Sequence, residues 1–422
     1  MQLNRGISNA KTRAPENEAA VVEAVRAIID DVRSNGESAV RKYAQKFDGF
    51  SSGALLASPE EIKTAVEETC EDTIRILKRA AGQITEYHAN QVEKSWFYHK
   101  EGNVVMGQLV RPLRRVALYV PGGTASYPST VLMNAIPAKL AGVKEVAVFT
   151  PAGAGGEVAA PILAAAACCG IDKVYKIGGA QAIAAAAYGA GCIPKFDKIV
   201  GPGNIYVTAA KRLVSGDVDI DMAAGPSEVL IVADDSANPV YIAADMMSQA
   251  EHDRLSRAIL ITTSERIIEE TEQELERQAA GLERADIIRE SIAANGCAIL
   301  AGSLSEAFAL ANEIAPEHLE ILTRDPLGKL PMVENAGSIF LGEYTPEPLG
   351  DYMSGTNHVL PTGGAARYRS PLGVYDFIKR SAYSCYSKEA LACFKDDVMR
   401  FAKLEGLDAH ANSIQVRFDE SR

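Results

Sequence analysis

The chain has 422 residues, a formal net charge of −12, 47% hydrophobic and 23% charged residues. That length predicts two or three domains, and the acidic balance lacks the basic patch that a nucleic-acid or anionic-membrane surface requires. No apolar run follows Met1-Gln2-Leu3-Asn4-Arg5, and the alanine-rich stretches at 164–169 and 182–187 are too short to span a bilayer, so a cytoplasmic chain without a signal peptide is expected.

Residues 15–48 read as an amphipathic helical segment interrupted at Asn35-Gly36. Residues 59–93 repeat the pattern from Ser58-Pro59-Glu60-Glu61, where a serine cap, a first-turn proline and early acids mark a helix start. From residue 115 short β-branched runs (115–120, 145–150, 173–177, 198–200) alternate with helical runs (129–141, 157–169, 180–189, 204–213). A second series follows, with strands at 229–232, 258–262, 298–301, 319–322 and 338–341 and helices at 238–250, 264–279 and 304–314. Such alternation implies parallel sheets with crossover helices. The expected fold is α/β: two open Rossmann-like parallel-sheet units plus a small helical C-terminal appendage. Residues 1–114 with 236–365 form a first α/β domain carrying the N-terminal helices, 115–235 a second, and 366–422 a tail. Residues 344–371, rich in Gly, Pro, Thr and Asn, read as an extended loop of the kind that carries function. The end of the chain reads as a helix and then a short strand at 413–418.

The seven cysteines (70, 168, 169, 192, 297, 385, 393) form no CxxC pair and stand beside no histidine, so they read as reduced thiols rather than nucleophiles. Glycine turns follow the first strands: Pro121-Gly122-Gly123, Pro151-Ala152-Gly153, Gly178-Gly179-Ala180-Gln181 and Gly201-Pro202-Gly203-Asn204. They lie at the C-terminal ends of strands, where open α/β sheets bind ligands and where helix-start amides can meet a pyrophosphate. None is a complete GxGxxG, so each also fits a simple tight connection.

Of six histidines, His88 and His99 lie in a polar region around Trp96 and read as surface or packing residues. In Gln249-Ala250-Glu251-His252 the outer residues share a helix face and can meet one ion, although a helix-end histidine also serves as a carbonyl cap. Pro316-Glu317-His318-Leu319 joins a carboxylate to an imidazole, a pairing suited to acid–base chemistry near neutrality if the loop lines a cleft. Asp351 and His358 lie in the long loop, and Glu405 and His410 end the last helix. A Gln/His/Asp/His set offers nitrogen and oxygen ligands without a thiolate, which suits zinc or another divalent ion at an open site. Its members span 249 to 410, so spacing does not establish it. The residues alone describe an α/β enzyme with nucleotide-compatible turns and a metal-compatible set.

Taken in order, Tyr119-Val120-Pro121-Gly122-Gly123, Gly178-Gly179-Ala180-Gln181-Ala182-Ile183, Gly201-Pro202-Gly203-Asn204, Ala224-Gly225-Pro226-Ser227-Glu228, Gln249-Ala250-Glu251-His252, Pro316-Glu317-His318-Leu319 and Asn357-His358-Val359-Leu360-Pro361-Thr362 closely resemble the histidinol dehydrogenase family. The resemblance runs from about residue 20 to 418. It implies zinc ligands at Gln249, His252, Asp351 and His410, and a catalytic acid–base pair at Glu317 and His318. It implies substrate contacts at Ser227, His358 and Glu405, joined by His318 and the zinc ligands, and NAD contacts at Tyr119, Gln181 and Asn204. Residues 115–235 would be the NAD side. The family's intertwined homodimer would make 366–422 a dimerisation tail that lends Glu405 and His410 to the other chain. The expected activity is zinc-dependent, NAD-linked oxidation of L-histidinol to L-histidine through a bound aldehyde, with no nucleic-acid or membrane partner. One small departure is Ala411-Asn412-Ser413 after His410, where some members carry a lysine. Three alternatives remain: a paralogue acting on another polar alcohol such as a sulfopropanediol, a zinc hydrolase on an α/β scaffold, and a non-catalytic nucleotide-binding or assembly protein.

Overall fold

A computed structural model describes residues 1–6, 18–50, 53–122, 126–153, 155–222 and 225–419. The expected helix start at 15–17, Gly123 of the first turn and Ala224 of the Ala224–Glu228 motif lie outside the described residues. The strands in chain order are β1 (Asn4–Arg5), β2 (Trp96–Lys100), β3 (Val104–Pro112), β4 (Arg115–Tyr119), β5 (Glu145–Phe149), β6 (Lys173–Tyr175) and β7 (Lys198–Val200). They continue with β8 (Asp219–Ile220), β9 (Glu228–Ala233), β10 (Arg257–Thr262), β11 (Gly296–Leu300), β12 (His318–Leu322), β13 (Ser338–Leu341) and β14 (Ile378–Cys385).

The chain divides into two compact units, Met1–Val92 with Leu113–Phe377, and Glu93–Pro112 with Ile378–Arg422. The first holds a five-stranded sheet ordered β6-β5-β4-β7-β8 and a six-stranded sheet ordered β1-β11-β10-β9-β12-β13. All pairings in both are parallel. Apart from β1, both follow one plan: the first strand of each series lies in the middle, the next two extend to one side and the last two to the other. Strand order therefore reverses between β4 and β7 in one sheet and between β9 and β12 in the other. β9 and β10 are buried along their whole lengths, which explains their near-continuous apolar runs. Their only charged residues, Glu228 and Arg257, open the two strands and pair at 2.7 Å.

Local signals account for the helices. Ser58 accepts a hydrogen bond from the Glu61 amide at 3.1 Å, and Glu61 accepts one from the Ser58 amide at 2.7 Å, closing the expected cap. The alanine-rich helix Gly179–Tyr188 is small enough to pack flat between the sheet and Val25, Ile28 and Val32 of the helix Glu18–Asn35. No helix among the described residues is long and apolar enough to cross a membrane.

Some expectations need correction. Residues 59–93 are not one helix: Pro59–Glu68 and Glu71–Ala89 are separated at Thr69-Cys70. The 344–371 region contains the helix Glu347–Tyr352, opened by the Pro-Glu-Pro sequence that reads as a loop but suits a first turn. Residues 413–418 are not a strand, because Asp408–Gln415 is helical and a turn follows. The second unit is not only helical, since β14-β3-β2 form an antiparallel sheet there, and residues 93–112 belong to that unit rather than to the first. β9, read with the 115–235 region, belongs to the six-stranded sheet.

Candidate active site

β8 ends at Ile220 and β9 begins at Glu228. The chain leaves the C-terminal end of a strand in one sheet and, after residues 221–227, enters the N-terminal end of a strand in the other. This link joins the C-terminal edge of the five-stranded sheet to the N-terminal edge of the six-stranded sheet.

The first wall carries the glycine turns. Tyr119 closes β4, Asn204 follows β7, and the two flank the crevice where strand order reverses, the usual ligand position in an open α/β sheet. Asn204 caps the helix Ile205–Val214, its Oδ1 accepting from the Tyr206 and Val207 amides at 3.1 Å each. Tyr119 is buried, accepts from the Gly179 amide at 3.0 Å, and has its phenol pushed up to about 12 by desolvation. Gln181, in the first turn after β6, is buried with neither amide atom partnered. Gly201 sits at φ +111°, and a Cβ there would stand 2.1 Å from the Tyr119 carbonyl oxygen. Asp221 Oδ2 accepts from the Gly201 amide at 2.7 Å, and Lys211 donates to the Gly201 carbonyl at 2.9 Å while pairing with Asp221.

The second wall carries the acid–base groups. Glu317 and His318 stand where β12 begins, and Ser227 and Glu228 where its neighbour β9 begins. His318 Nδ1 lies 3.1 Å from the Glu228 carbonyl oxygen, so the neutral ring donates from Nδ1 and keeps a lone pair on Nε2. Burial holds this imidazole down at about 4. Glu317 Oε2 accepts from the Glu228 amide at 2.9 Å, and burial followed by the charges of Glu228, Asp351 and Glu347 pushes its carboxyl well above the ordinary range. The helix Glu347–Tyr352 packs on Phe340 at Gly350, where a Cβ would lie 2.5 Å from the ring. That close approach brings Asp351 and Glu347 to His318, with Glu347 Oε1 3.6 Å from Nε2. His358 completes the group, its Nδ1 3.2 Å from the Asp351 carbonyl oxygen and its Nε2 3.4 Å from Thr130 Oγ1. Gln249 ends the helix Pro239–Ala250 fully buried, with both amide atoms unpartnered. His252, exposed just beyond, lies close enough to oppose protonation of both His318 and His358.

Carboxyls missed in the sequence surround this set. Glu347 is pushed up to about 9 by burial and by Asp351 beside it. Glu320, buried in the middle of β12, accepts from the Glu347 amide at 2.9 Å and shares a hydrogen bond with Asp245, which burial raises to about 6. An acid inside an apolar strand was the signal available for Glu320; nothing in the sequence marked Asp245. Arg257 is the cation paired with Glu228, while His318, Glu347 and Asp351 offer ligand atoms all within 4.8 Å of one another. Concentrated buried carboxyls with unsatisfied acceptors invite a cation.

His88 is a packing residue, fully buried, with Nδ1 2.8 Å from Gln91 Oε1; His99 is exposed in β2. Burial raises the Cys169 thiol to about 12 and the Cys297 thiol to about 11, which leaves both inert. Glu405 and His410 belong to the second unit, both exposed, so the fold of the first unit does not gather them with Gln249, His252 and Asp351.

A family model described as histidinol dehydrogenase matches residues 11–418. Curated relatives include the histidinol dehydrogenase of Lactococcus lactis subsp. lactis, 58% identical over 97% of this chain and 95% of the relative. That of Clostridium acetobutylicum is 52% identical over the same shares, 97% and 95%. A crystal structure of histidinol dehydrogenase from Elizabethkingia anophelis matches with a TM-score of 0.92 at 36% identity, covering 98% of each chain.

Proposed function

Because the chain belongs to the histidinol dehydrogenase family, we propose that it oxidises L-histidinol to L-histidine, with zinc and NAD, in two successive hydride transfers through a bound aldehyde. It would act as a cytoplasmic enzyme in the last steps of histidine biosynthesis. The observation that carries this reading is the buried Glu317–His318 pair, fixed on Glu228 and set beside Glu347, with Thr130 of the helix after β4 reaching His358 of the same group at 3.4 Å.

The residues fit a divalent cation. Gln249 presents a buried amide with no protein partner, and Asp351 lies within a carboxyl-rich cluster. Gln249, His252 and Asp351, with His410 of a second copy, would hold zinc, whose chemistry here is to grip and orient the substrate's nitrogens without redox change. NAD, held by Tyr119, Gln181 and Asn204, supplies the hydride acceptor.

The chain's own groups supply the proton chemistry. His318, kept neutral by burial and fixed through Nδ1, takes the hydroxyl proton on Nε2 as the carbinol hydride departs. The product is an aldehyde, retained between the two walls. Glu317 has one oxygen on the Glu228 amide, and the other takes a proton from the water that adds to the aldehyde. Burial and the neighbouring carboxyls raise its affinity for that proton. His318 returns its proton to the former carbonyl oxygen as water adds, which gives the hydrate and frees Nε2; it then takes the proton of a hydrate hydroxyl as the second hydride leaves, giving the carboxylic acid. Ser227, His358 and Glu405 would position the substrate's polar ends. Exposed apolar side chains on the second unit, among them Phe97, Phe401 and Leu404, favour the homodimer that would bring Glu405 and His410 to another chain's site.

The test is stoichiometric. Two NADH formed per histidinol consumed supports the reading, one indicates a simple alcohol dehydrogenase, and none rejects it. Glu317→Gln should spare reduction of histidinal while crippling the aldehyde-to-acid step. Equal loss in both directions would remove the separate role assigned to Glu317.

A further inference from the structure

The amide end of the helix Gly179–Tyr188 does not resemble a phosphate cradle. Of its leading amides, that of Gly179 is taken by the Tyr119 hydroxyl at 3.0 Å, and that of Gly178 faces the Asp48 carboxylate. Asp48 is the last residue of the helix Glu37–Asp48, which packs against Gly179–Tyr188 and delivers the carboxylate to this turn. Two polar groups there remain unsatisfied. Asp48 Oδ2 is fully buried and has no partner, and neither atom of the Gln181 amide, folded back over Gly179 in a side chain 1% exposed, has one either.

The donor and acceptor balance identifies what fits. A phosphate brings only acceptors and negative charge; it would find the Gly178 and Gly179 amides engaged and a carboxylate opposing it. A ribose brings adjacent hydroxyls, each able to donate and to accept. One can donate to the free Asp48 oxygen and another can exchange hydrogen bonds with the Gln181 amide. A carboxylate accepting from ribose hydroxyls is the general device by which α/β sheets favour NAD over its 2′-phosphorylated form. We propose that Asp48 and Gln181 form a subsite for the vicinal diol of a ribose, and that Asp48 sets the preference for NAD(H) over NADP(H). The proposal rests on the reading of this sheet edge as the NAD side.

The experiment is binding of NADH and NADPH to the intact protein without histidinol, followed by cofactor fluorescence, for the unaltered chain, Asp48→Asn and Asp48→Ser. The unaltered chain binds NADH and binds NADPH at least about tenfold more weakly. Loss of a hydrogen bond to a charged acceptor weakens NADH about ten- to a hundredfold in both variants. If the diol is that of the adenosine ribose, the NADPH-to-NADH affinity ratio rises in the variants. If that ratio stays fixed while reduced nicotinamide mononucleotide weakens in parallel, the diol bound is that of the nicotinamide ribose and the preference assigned to Asp48 is overturned. NADH affinity unchanged within about twofold, in variants whose melting temperature matches the unaltered chain, overturns the proposal. Failure of the unaltered chain to bind NADH at all overturns instead the NAD reading beneath it.

Discussion

Replacing Lys211 by methionine isolates the link between the two walls. Lys211 and Asp221 form an ion pair with side chains 2% and 1% exposed. Asp221 also accepts from the Gly201 amide at 2.7 Å and the Met222 amide at 2.6 Å, and Arg369 donates to its carbonyl at 2.6 Å. Methionine keeps the stem's volume but leaves the carboxylate buried without its cation and the Gly201 carbonyl without its donor. Breaking one side of a buried pair costs about 3–5 kcal/mol. At about 2 °C per kcal/mol for a unit of this size, the melting temperature should fall by about 6–10 °C. Far-UV circular dichroism is the appropriate assay, because Trp96, the chain's only tryptophan, lies in the second unit and cannot report on the first. Adding Asp221→Asn removes the stranded charge, so the double variant should be more stable than Lys211→Met alone. A fall under about 2 °C, or a double variant that loses the sum of both single effects, refutes the account.

The metal-free protein should lose stability as pH rises from about 6.5 to 9. Glu347 (about 9 against an ordinary 4.5) and Asp245 (about 6 against 3.8) keep protons in the fold that the unfolded chain has released, so their contribution is full below about 4 and lost on the way up. His318, lowered to about 4 from 6.5, acts oppositely only below about 6.5, and the Asp245 contribution is lost by about 6, so of these groups Glu347 supplies the falling slope above 6.5, which should flatten on saturation with zinc; a flat metal-free profile would contradict the buried-carboxyl argument. Gln249→Ala should lower bound zinc, measured by mass spectrometry of the purified protein, by about ten- to a hundredfold in affinity, whereas Glu347→Gln should retain it. The opposite ranking would favour the His318–Glu347–Asp351 donor set instead. Mixing inactive Glu317→Gln and His410→Asn chains under subunit exchange should restore up to about a quarter of normal activity, since half of the dimers would carry one intact site. No recovery would place His410 in its own chain's site.

Much of the fold was legible because buried parallel strands write themselves as apolar runs: β9, β10 and β12 coincide with 229–232, 258–262 and 319–322 to within a residue or two. The antiparallel strands β2 and β3 were not, because their residues are largely exposed or half-buried and alternate weakly. Glu317 and His318 were visible as an acid beside an imidazole. Glu347 was hidden in a Pro-Glu-Pro turn, and Asp245 in the middle of an ordinary helix, since each gains its role only from contacts made far along the chain. The split of the metal set is likewise a long-range fact: Gln249, His252 and Asp351 belong to one unit and His410 to the other.

The parallel strand–helix order of each sheet also fixes the direction of its helix axes. Helices after β4, β5, β6 and β7 start at the C-terminal edge of their sheet, so Pro128–Leu140, Ala160–Cys168, Gly179–Tyr188 and Ile205–Val214 turn their partially positive ends toward the cleft. On the other wall Pro239–Ala250 and Leu304–Ile314 finish just before the site, turning partially negative ends toward it. The peptide dipoles thus polarise the gap before any side chain contributes. These ends would favour an anionic dinucleotide on one side and a metal ion or an ammonium-bearing substrate on the other, so under the proposed function the backbone itself would help sort the two reactants.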